Sequence, residues 1–160
     1  MKLIHWLFLG ALLSPALCHA QATCPWINAV TATDAPSGSS IPADQITVSA
    51  HECRFHYQDG GVAYELRVIV EDAGSGNKSM EMKEAKCTSK AIAIPGLGNE
   101  AVRCGADMRS SHGEQVIGRV RDTIFVIVAS TGADHFSPTI RKLLCDKAQS
   151  GAEQVAGNLF

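Results

Sequence analysis

Between Val62 and Glu71 the chain alternates strictly. Val62, Tyr64, Leu66, Val68 and Val70 occupy every second position, with Ala63, Glu65, Arg67, Ile69 and Glu71 between them. Successive side chains of a strand point to opposite faces, so this pattern predicts a β-strand with one buried face. Such a strand is not stable alone; it needs neighbours in a sheet and a second layer over its apolar side. That requirement organises the reading of everything else.

The neighbouring strands follow from the same signals. Ile46–Ala50 and Cys53–Tyr57 precede the alternating strand, which is entered through the turn Asp59-Gly60-Gly61. Glu100–Cys104, Glu114–Arg121 and Thr123–Ser130 form a second group, the last two joined at Arg121-Asp122 by a tight hairpin or a bulge. Ile124-Phe125-Val126-Ile127-Val128 is apolar on both faces, which places it centrally in the sheet. Cys24-Pro25-Trp26 opens a short helix reaching about Thr33, with Pro25 at its first position. The charged stretch Ser79–Lys90 holds a short helix ending near Cys87. Ser137-Pro138 is an N-cap followed by proline at N1. From there Ile140, Leu143, Leu144, Ala148, Ala152, Val155, Ala156 and Leu159 recur at spacings of three and four, the signature of a long helix with one apolar face. The expected fold is α+β: an antiparallel sheet of five to six strands, a short N-terminal helix, and a long C-terminal helix packed on the buried face.

The chain begins with a targeting pattern. Lys2 is followed by an apolar run from Leu3 to Leu13, Pro15 breaks it, and Ala20-Gln21-Ala22 offers small residues for cleavage after Ala20 or Ala22. The run falls short of the roughly 20 residues a bilayer span needs, so no stable membrane span is expected after cleavage. Residues 1–22 thus read as a signal peptide and 23–160 as one domain, secreted or periplasmic. Loss of Lys2 leaves 13 basic against 16 acidic residues, a net charge of −3. That balance lacks the basic excess a nucleic-acid binder needs.

Export gives the cysteines their meaning. Cys24, Cys53, Cys87, Cys104 and Cys145 survive cleavage, with no C-x-x-C pair among them, and read as disulfide partners rather than metal ligands. Any four of them allow three pairings. The preferred set joins Cys24 to Cys53 and Cys87 to Cys104, each closing a loop of moderate length and tying it to a strand. Cys145 is then a free thiol beside the buried stripe of the last helix, either an inert buried group or a point of covalent attachment.

Five segments, Cys24-Pro25-Trp26 with Cys53-Arg54-Phe55, Gly98-Asn99-Glu100-Ala101-Val102-x-Cys104, Gly118-Arg119-Val120-Arg121-Asp122 and Ala152-Glu153-Gln154-Val155-Ala156-Gly157-Asn158-Leu159-Phe160, resemble an uncharacterised family of bacterial secreted proteins. More remotely they resemble the PsbP-like α/β/α sandwich. The resemblance implies that fold and a cell-envelope location. It transfers no catalytic residue.

Little chemistry is written in the sequence. His51, His56, His112 and His135 are scattered, no H-E-x-x-H or G-x-S-x-G occurs, and Gly74-Ser75-Gly76 and Gly96-Leu97-Gly98 lack the third glycine of a dinucleotide loop. No metal and no cofactor is expected. One pattern stands out. Reading the alternation consistently puts Arg54, Arg67, Arg103, Arg119 and Arg121, five of the chain's seven arginines, on the sheet face opposite the core, among Ile69, Phe125 and Ile127. Guanidinium groups there could hold an anionic or amphipathic ligand or an envelope protein. Alternatively Glu52, Glu65 and Glu71 on the same face neutralise them in cross-strand pairs. The functional expectation is a non-catalytic ligand- or protein-binding module. The alternatives are an unrecognised enzyme working between sheet and helices, and an accessory subunit linked through Cys145.

Overall fold

The computed structural model describes residues 23–33, 45–59, 61–72, 74, 77–106, 108, 111–132, 134 and 136–160. Residues 1–22, expected to be a signal peptide, the Ser-, Gly- and Pro-rich stretch 34–42 and His135 lie outside them. The elements run in the order α1 (Ala29–Thr33), β1 (Gln45–Val48), β2 (Glu52–Asp59), β3 (Val62–Asp72), α2 (Asn77–Glu84), β4 (Ile92–Ala93), β5 (Glu100–Ala106), β6 (Ser111–Val120), β7 (Thr123–Gly132) and α3 (Pro138–Leu159).

All pairings are antiparallel, in the order β1-β2-β3-β7-β6-β5-β4. Two three-stranded meanders, β1-β2-β3 and β5-β6-β7, therefore meet where β3 pairs with β7. Short turns make each meander, and the junction brings together the two most apolar strands. β7 has a neighbour on each side and is buried along nearly its whole length. Six strands are of four residues or more; β4 is a two-residue addition at the far edge.

One face of the sheet carries the main core. Phe55, Leu66, Val68, Val116, Val120, Phe125 and Ile127 point there and are covered by Leu144, Ala148, Ala152 and Val155 of α3, with Ile27 and Ala32 from the α1 region. Ser137 Oγ accepts a hydrogen bond from the Ile140 amide at 3.2 Å, capping α3 as its Ser-Pro start predicts. Gly151 lies on the buried side of α3, where a Cβ would stand 3.1 Å from Ile127 Cγ2. Its helix-weakening lack of a side chain lets α3 approach β7 closely.

The opposite face is partly covered too. Met80 of α2 packs with Cys104, Ile117, Ile124, Val126 and Val128 in a second apolar cluster. The helices are thus divided between the two faces, α1 and α3 on one and α2 on the other. The layer arrangement is α+β with a long C-terminal helix on the sheet, as expected.

The shorter helices differ in extent from expectation. α1 starts at Ala29 rather than at Pro25, because Asn28 Oδ1 accepts from the Thr31 amide at 2.8 Å and is the true N-cap. Residues 24–28 form an irregular segment that bends at Pro25, Trp26 and Ile27 and is pinned by the Cys24–Cys53 disulfide. α2 begins at Asn77 and ends at Glu84; the chain then turns so that Cys87 can bridge to Ala106 and join Cys104 in the second disulfide. Cys145 is free. Both expected pairings are present. Closing loops of such length typically contributes about 2–4 kcal/mol each.

The second disulfide also closes a sheet edge. The Thr88 amide donates to Gly105 O at 3.0 Å, the Gly105 amide to Ser89 Oγ at 2.8 Å, and the Ile94 amide to Ala101 O at 2.8 Å. With β4 pairing Val102 and Arg103, the outer edge of β5 is bonded along most of its length and is not a free template for another strand.

The Gly98–Val102 and Gly118–Asp122 segments have a structural use. The Asn99 amide donates to Arg119 O at 2.7 Å, and Asn99 Oδ1 accepts from the Arg121 amide. That clips the 96–99 loop to the two-residue β6–β7 hairpin turn, where Arg121 has φ 53°. Gly98 (φ 65°) is required there, since a Cβ would collide with Arg119 O. Across the sheet Gly118 sits directly opposite Phe125, whose ring lies over the position a Cβ would take. Gly118→Ala is expected to lower stability by about 1–3 kcal/mol by overpacking this contact. A urea-unfolding midpoint checks it; an unchanged midpoint would mean that the ring turns aside freely.

Candidate functional site

The five arginines do not share a face. Pair register fixes the orientation of each strand: Arg54 and Arg67 are directly opposite, and Arg119 lies opposite Glu100, all three on the face that α2 partly covers. Arg103 pairs with Val116, a member of the α3-side core, and so points to the helix face. Its neighbour Cys104 belongs to the α2-side cluster, which turns Arg103 the other way. Arg121 is in the hairpin turn. Phe125 and Ile127 likewise lie on the α3 side, while Ile124, Val126 and Val128 stand on the α2 side. In a strand buried on both faces apolarity carries no phase, and the expected phase of β5 and β7 was inverted for that reason.

The arginines that remain on the outer face are already occupied. Arg67 donates from Nε and Nη2 to Glu52 Oε1 and Oε2 at 2.8 and 2.9 Å, and Arg54 Nε contacts the same Oε1. Arg54 and Arg67 would otherwise be like charges in register, a destabilising arrangement. Glu52 resolves it by bridging both, and the Arg67 hydrogen bonds are the main reason its carboxyl is held below the ordinary value of 4.5. Arg119 Nε is 2.8 Å from Glu100 Oε1 in an ion contact without an aligned hydrogen bond. His56 Nδ1 lies 3.6 Å from Glu65 Oε2. This face is a ladder of internal pairs; an anionic ligand would have to displace Glu52 or Glu100 to reach it.

A second cluster lies under the N-terminal half of α3. Glu114, 5 % exposed, is held by Arg141 Nε at 2.7 Å. Cys145 adjoins it, and burial, followed by the Glu114 carboxylate, pushes the thiol pKa up. Arg103 and Arg141 pull the other way with smaller effect. Thiol chemistry runs through the thiolate, so this environment quiets the sulfur. Nearby, Tyr57 stacks on Tyr64 with ring centroids 5.2 Å apart and has Lys147 Nζ 5.8 Å from its ring centroid. Burial moves the Tyr57 hydroxyl far above the range in which it could exchange a proton near neutrality. Among the described residues no three His, Cys, Asp or Glu side chains are grouped as metal ligands. His56 lies in β2, His51 precedes it in a bend, and His112 stacks on Phe136 at 4.3 Å.

The third place was not visible in the sequence. A cleft of about 400 Å³ opens between the irregular segment that begins at Thr23, the β2 residue Phe55 and the last turns of α3. Its size is at the lower end for small-molecule sites. Pro25 and Ile27 contribute apolar surface, and Asn28, Gln154 and Asn158 contribute amides. The walls are fixed on both sides: the Cys24–Cys53 disulfide ties the segment to β2, and Asn158 Nδ2 donates to Trp26 O at 2.8 Å, tying it to α3. Gln154 Oε1 is buried and has no hydrogen-bond partner. An unpaired buried acceptor costs about 1–3 kcal/mol and marks a position that packing alone does not explain. Gln154 had only the signal of a polar residue one turn from the buried stripe, which any surface glutamine shares.

No family model, curated protein or solved structure matches the chain. Two expectations follow from the charges. Glu52→Gln should cost about 1 kcal/mol at neutral pH, by leaving Arg54 and Arg67 facing each other. Because the folded carboxyl titrates below 4.5, its contribution is complete above that value and disappears as pH falls through the lowered one. Urea unfolding of both proteins from pH 7 to pH 2 checks this, and a pH-independent difference would dismiss the bridge as a source of stability. Cys145 in the native protein should react with iodoacetamide at pH 7 at least tenfold more slowly than after denaturation, followed by intact mass.

Proposed function

We propose that this chain is an exported, non-catalytic binding module of the bacterial cell envelope, related to the PsbP-like family its motifs resemble. The observation that carries the reading is the cleft beside Gln154: a pre-formed, small-molecule-sized space with walls fixed by a disulfide and a side-chain hydrogen bond. Rigid walls lower the ordering cost of binding. The anion-binding arginine surface is not part of the proposal, since its guanidinium groups are engaged by Glu52 and Glu100 or turned elsewhere.

Export is supported by the leader pattern of residues 1–22 and by two disulfides, which persist in oxidising compartments. Among the described residues no helix is long and apolar enough to cross a membrane.

Intact mass of the natively exported protein, before and after alkylation, tests the reading. A chain starting at Gln21 or Thr23 with one alkylatable thiol is expected. A mass that retains Met1 would refute export, and a disulfide adduct at Cys145 would replace the module by a covalently attached accessory subunit.

A further inference from the structure

The disulfide that closes the β5 edge has a polar neighbour in otherwise apolar surroundings. Gln115 of β6, 7 % exposed, stands on the α2-side face opposite Cys104 of β5 and Val128 of β7. The cluster around it is built from Met80, Ile117, Val126 and Val128. Gln115 Nε2 is aimed at three acceptors: Cys104 Sγ at 3.4 Å, Gly105 O at 3.4 Å and Cys87 Sγ at 3.9 Å. A carbonyl oxygen only accepts, so Gly105 O fixes which end of the amide faces the sulfurs.

A disulfide sulfur is a weak acceptor, and these contacts offset little of the cost of burying an amide. A thiolate is a different partner, because hydrogen bonds to an ionised acceptor are roughly twice as strong as neutral ones. Gln115 is therefore better matched to a Cys104 thiolate than to the disulfide. Thiol exchange forms that thiolate when Cys87 is the sulfur attacked, and a sulfur leaves faster the better its anion is stabilised. The two ends of the bond differ in access in the same sense. Cys104 is 3 % exposed, whereas Cys87 is half-buried between the exposed Lys86 and Thr88. The Cys24–Cys53 bond also has one wholly buried end, but Cys53 lies in the main apolar core with Phe55 and Val68, where burial disfavours a thiolate.

We propose that Cys87–Cys104 is a reducible latch on the β5 edge, opened by an external dithiol at Cys87 with Gln115 holding the departing Cys104, while Cys24–Cys53 stays closed. A thiolate of the dithiol attacks Cys87 Sγ, a new S–S bond forms there, and the Cys87–Cys104 bond breaks with its electron pair on Cys104 Sγ. The second thiolate of the reductant then attacks its own sulfur in the mixed disulfide and releases Cys87. Two electrons pass to the protein, the reductant leaves as a disulfide, and its two protons end on Cys87 and Cys104. Gln115 is a positioning residue in this exchange. Without the covalent tie, residues 85–94 are held to β5 by the Thr88 amide on Gly105 O, the Gly105 amide on Ser89 Oγ, the Ile94 amide on Ala101 O and the two-residue β4. So light a clip opens easily, and the outer edge of β5 is uncovered.

The test treats the disulfide-intact exported protein with dithiothreitol at pH 7, quenches with iodoacetamide in denaturant, and reads the alkylated cysteines by peptide mass. Cys87 and Cys104 are expected to open about tenfold faster than Cys24 and Cys53, or more. Opening of Cys24–Cys53 first, or of both bonds together, would overturn the latch. A brief glutathione pulse should leave the adduct on Cys87 and the alkyl group on Cys104; the reverse placement would overturn the direction of attack. Gln115→Leu should slow the opening by about fivefold or more, as loss of a hydrogen bond to a charged group implies, with an unchanged or higher Tm, and Gln115→Met should do the same. A residue that served packing alone would loosen the fold when replaced and speed the opening, so an equal or faster rate would remove Gln115 from the exchange. In the reduced protein the Thr88 and Gly105 amides should exchange hydrogen about tenfold faster or more, with Val68 at the centre of the sheet unchanged. Retained protection at Thr88 and Gly105 would overturn the release of the edge.

Discussion

Strand β7 has to be covered twice. Ile124, Val126 and Val128 face one side and Phe125, Ile127 and Ala129 the other, and all are buried. A sheet built around such a strand cannot leave a face open to water at its centre, because the hydrophobic free energy of both rows would be lost. α3 covers the Phe125, Ile127 and Ala129 side with its continuous apolar stripe. α2 covers the other with little more than Met80, and the rest of that cover is supplied by the segment after it, held down by Cys87–Cys104. The disulfide compensates for a helix that is short and mostly polar. The same segment bonds the β5 edge, so one constraint explains the second apolar cluster, the second disulfide and the closed edge together.

Where α2 ends, the outer face is left to charged residues, and their arrangement is economical. Two arginines in register would repel; a single glutamate two residues before one of them reaches both. Half-exposed ion pairs contribute little individually, but removing the shared carboxylate leaves two uncompensated cations. The face is therefore better understood as a solvated, self-neutralised surface than as a receptor for anions. The interior pair between Glu114 and Arg141 has a different role, linking the centre of β6 to the first turn of α3. It places an acceptor beside Cys145, whose proton is retained.

The N-terminal segment is the part whose shape folding does not fully explain. It is stapled to β2 by Cys24–Cys53, capped into α1 by Asn28 and tied to α3 by Asn158, yet together these fixtures leave a space instead of closing it. Buried polar groups left unpaired on a rigid scaffold are a common sign that stability has been given up locally for recognition. Gln154 lies one turn before Asn158 on the side of α3 that faces the segment.

The amino-acid sequence by itself determined the strands, the long helix with its Ser137-Pro138 start, and the preference for the two disulfides that formed. Period-two alternation with charges on one side, as in β3, sets both the strand and its orientation, and caps act within one turn of chain. Tertiary structure decided the rest. β7 is apolar on both sides and β5 carries one charge on each, Glu100 and Arg103, so their phase was fixed only when Cys104 met Cys87 under α2 and Phe125 closed over Gly118. That phase sent Arg103 to the helix face and left Arg54, Arg67 and Arg119 to their glutamates. The junction of β3 with β7 joins residues some sixty apart in the chain, and the cleft joins Thr23 to Asn158. Neither leaves a local pattern, because which apolar face finds cover, and which polar atom is left without a partner, depends on the whole packed sheet at once.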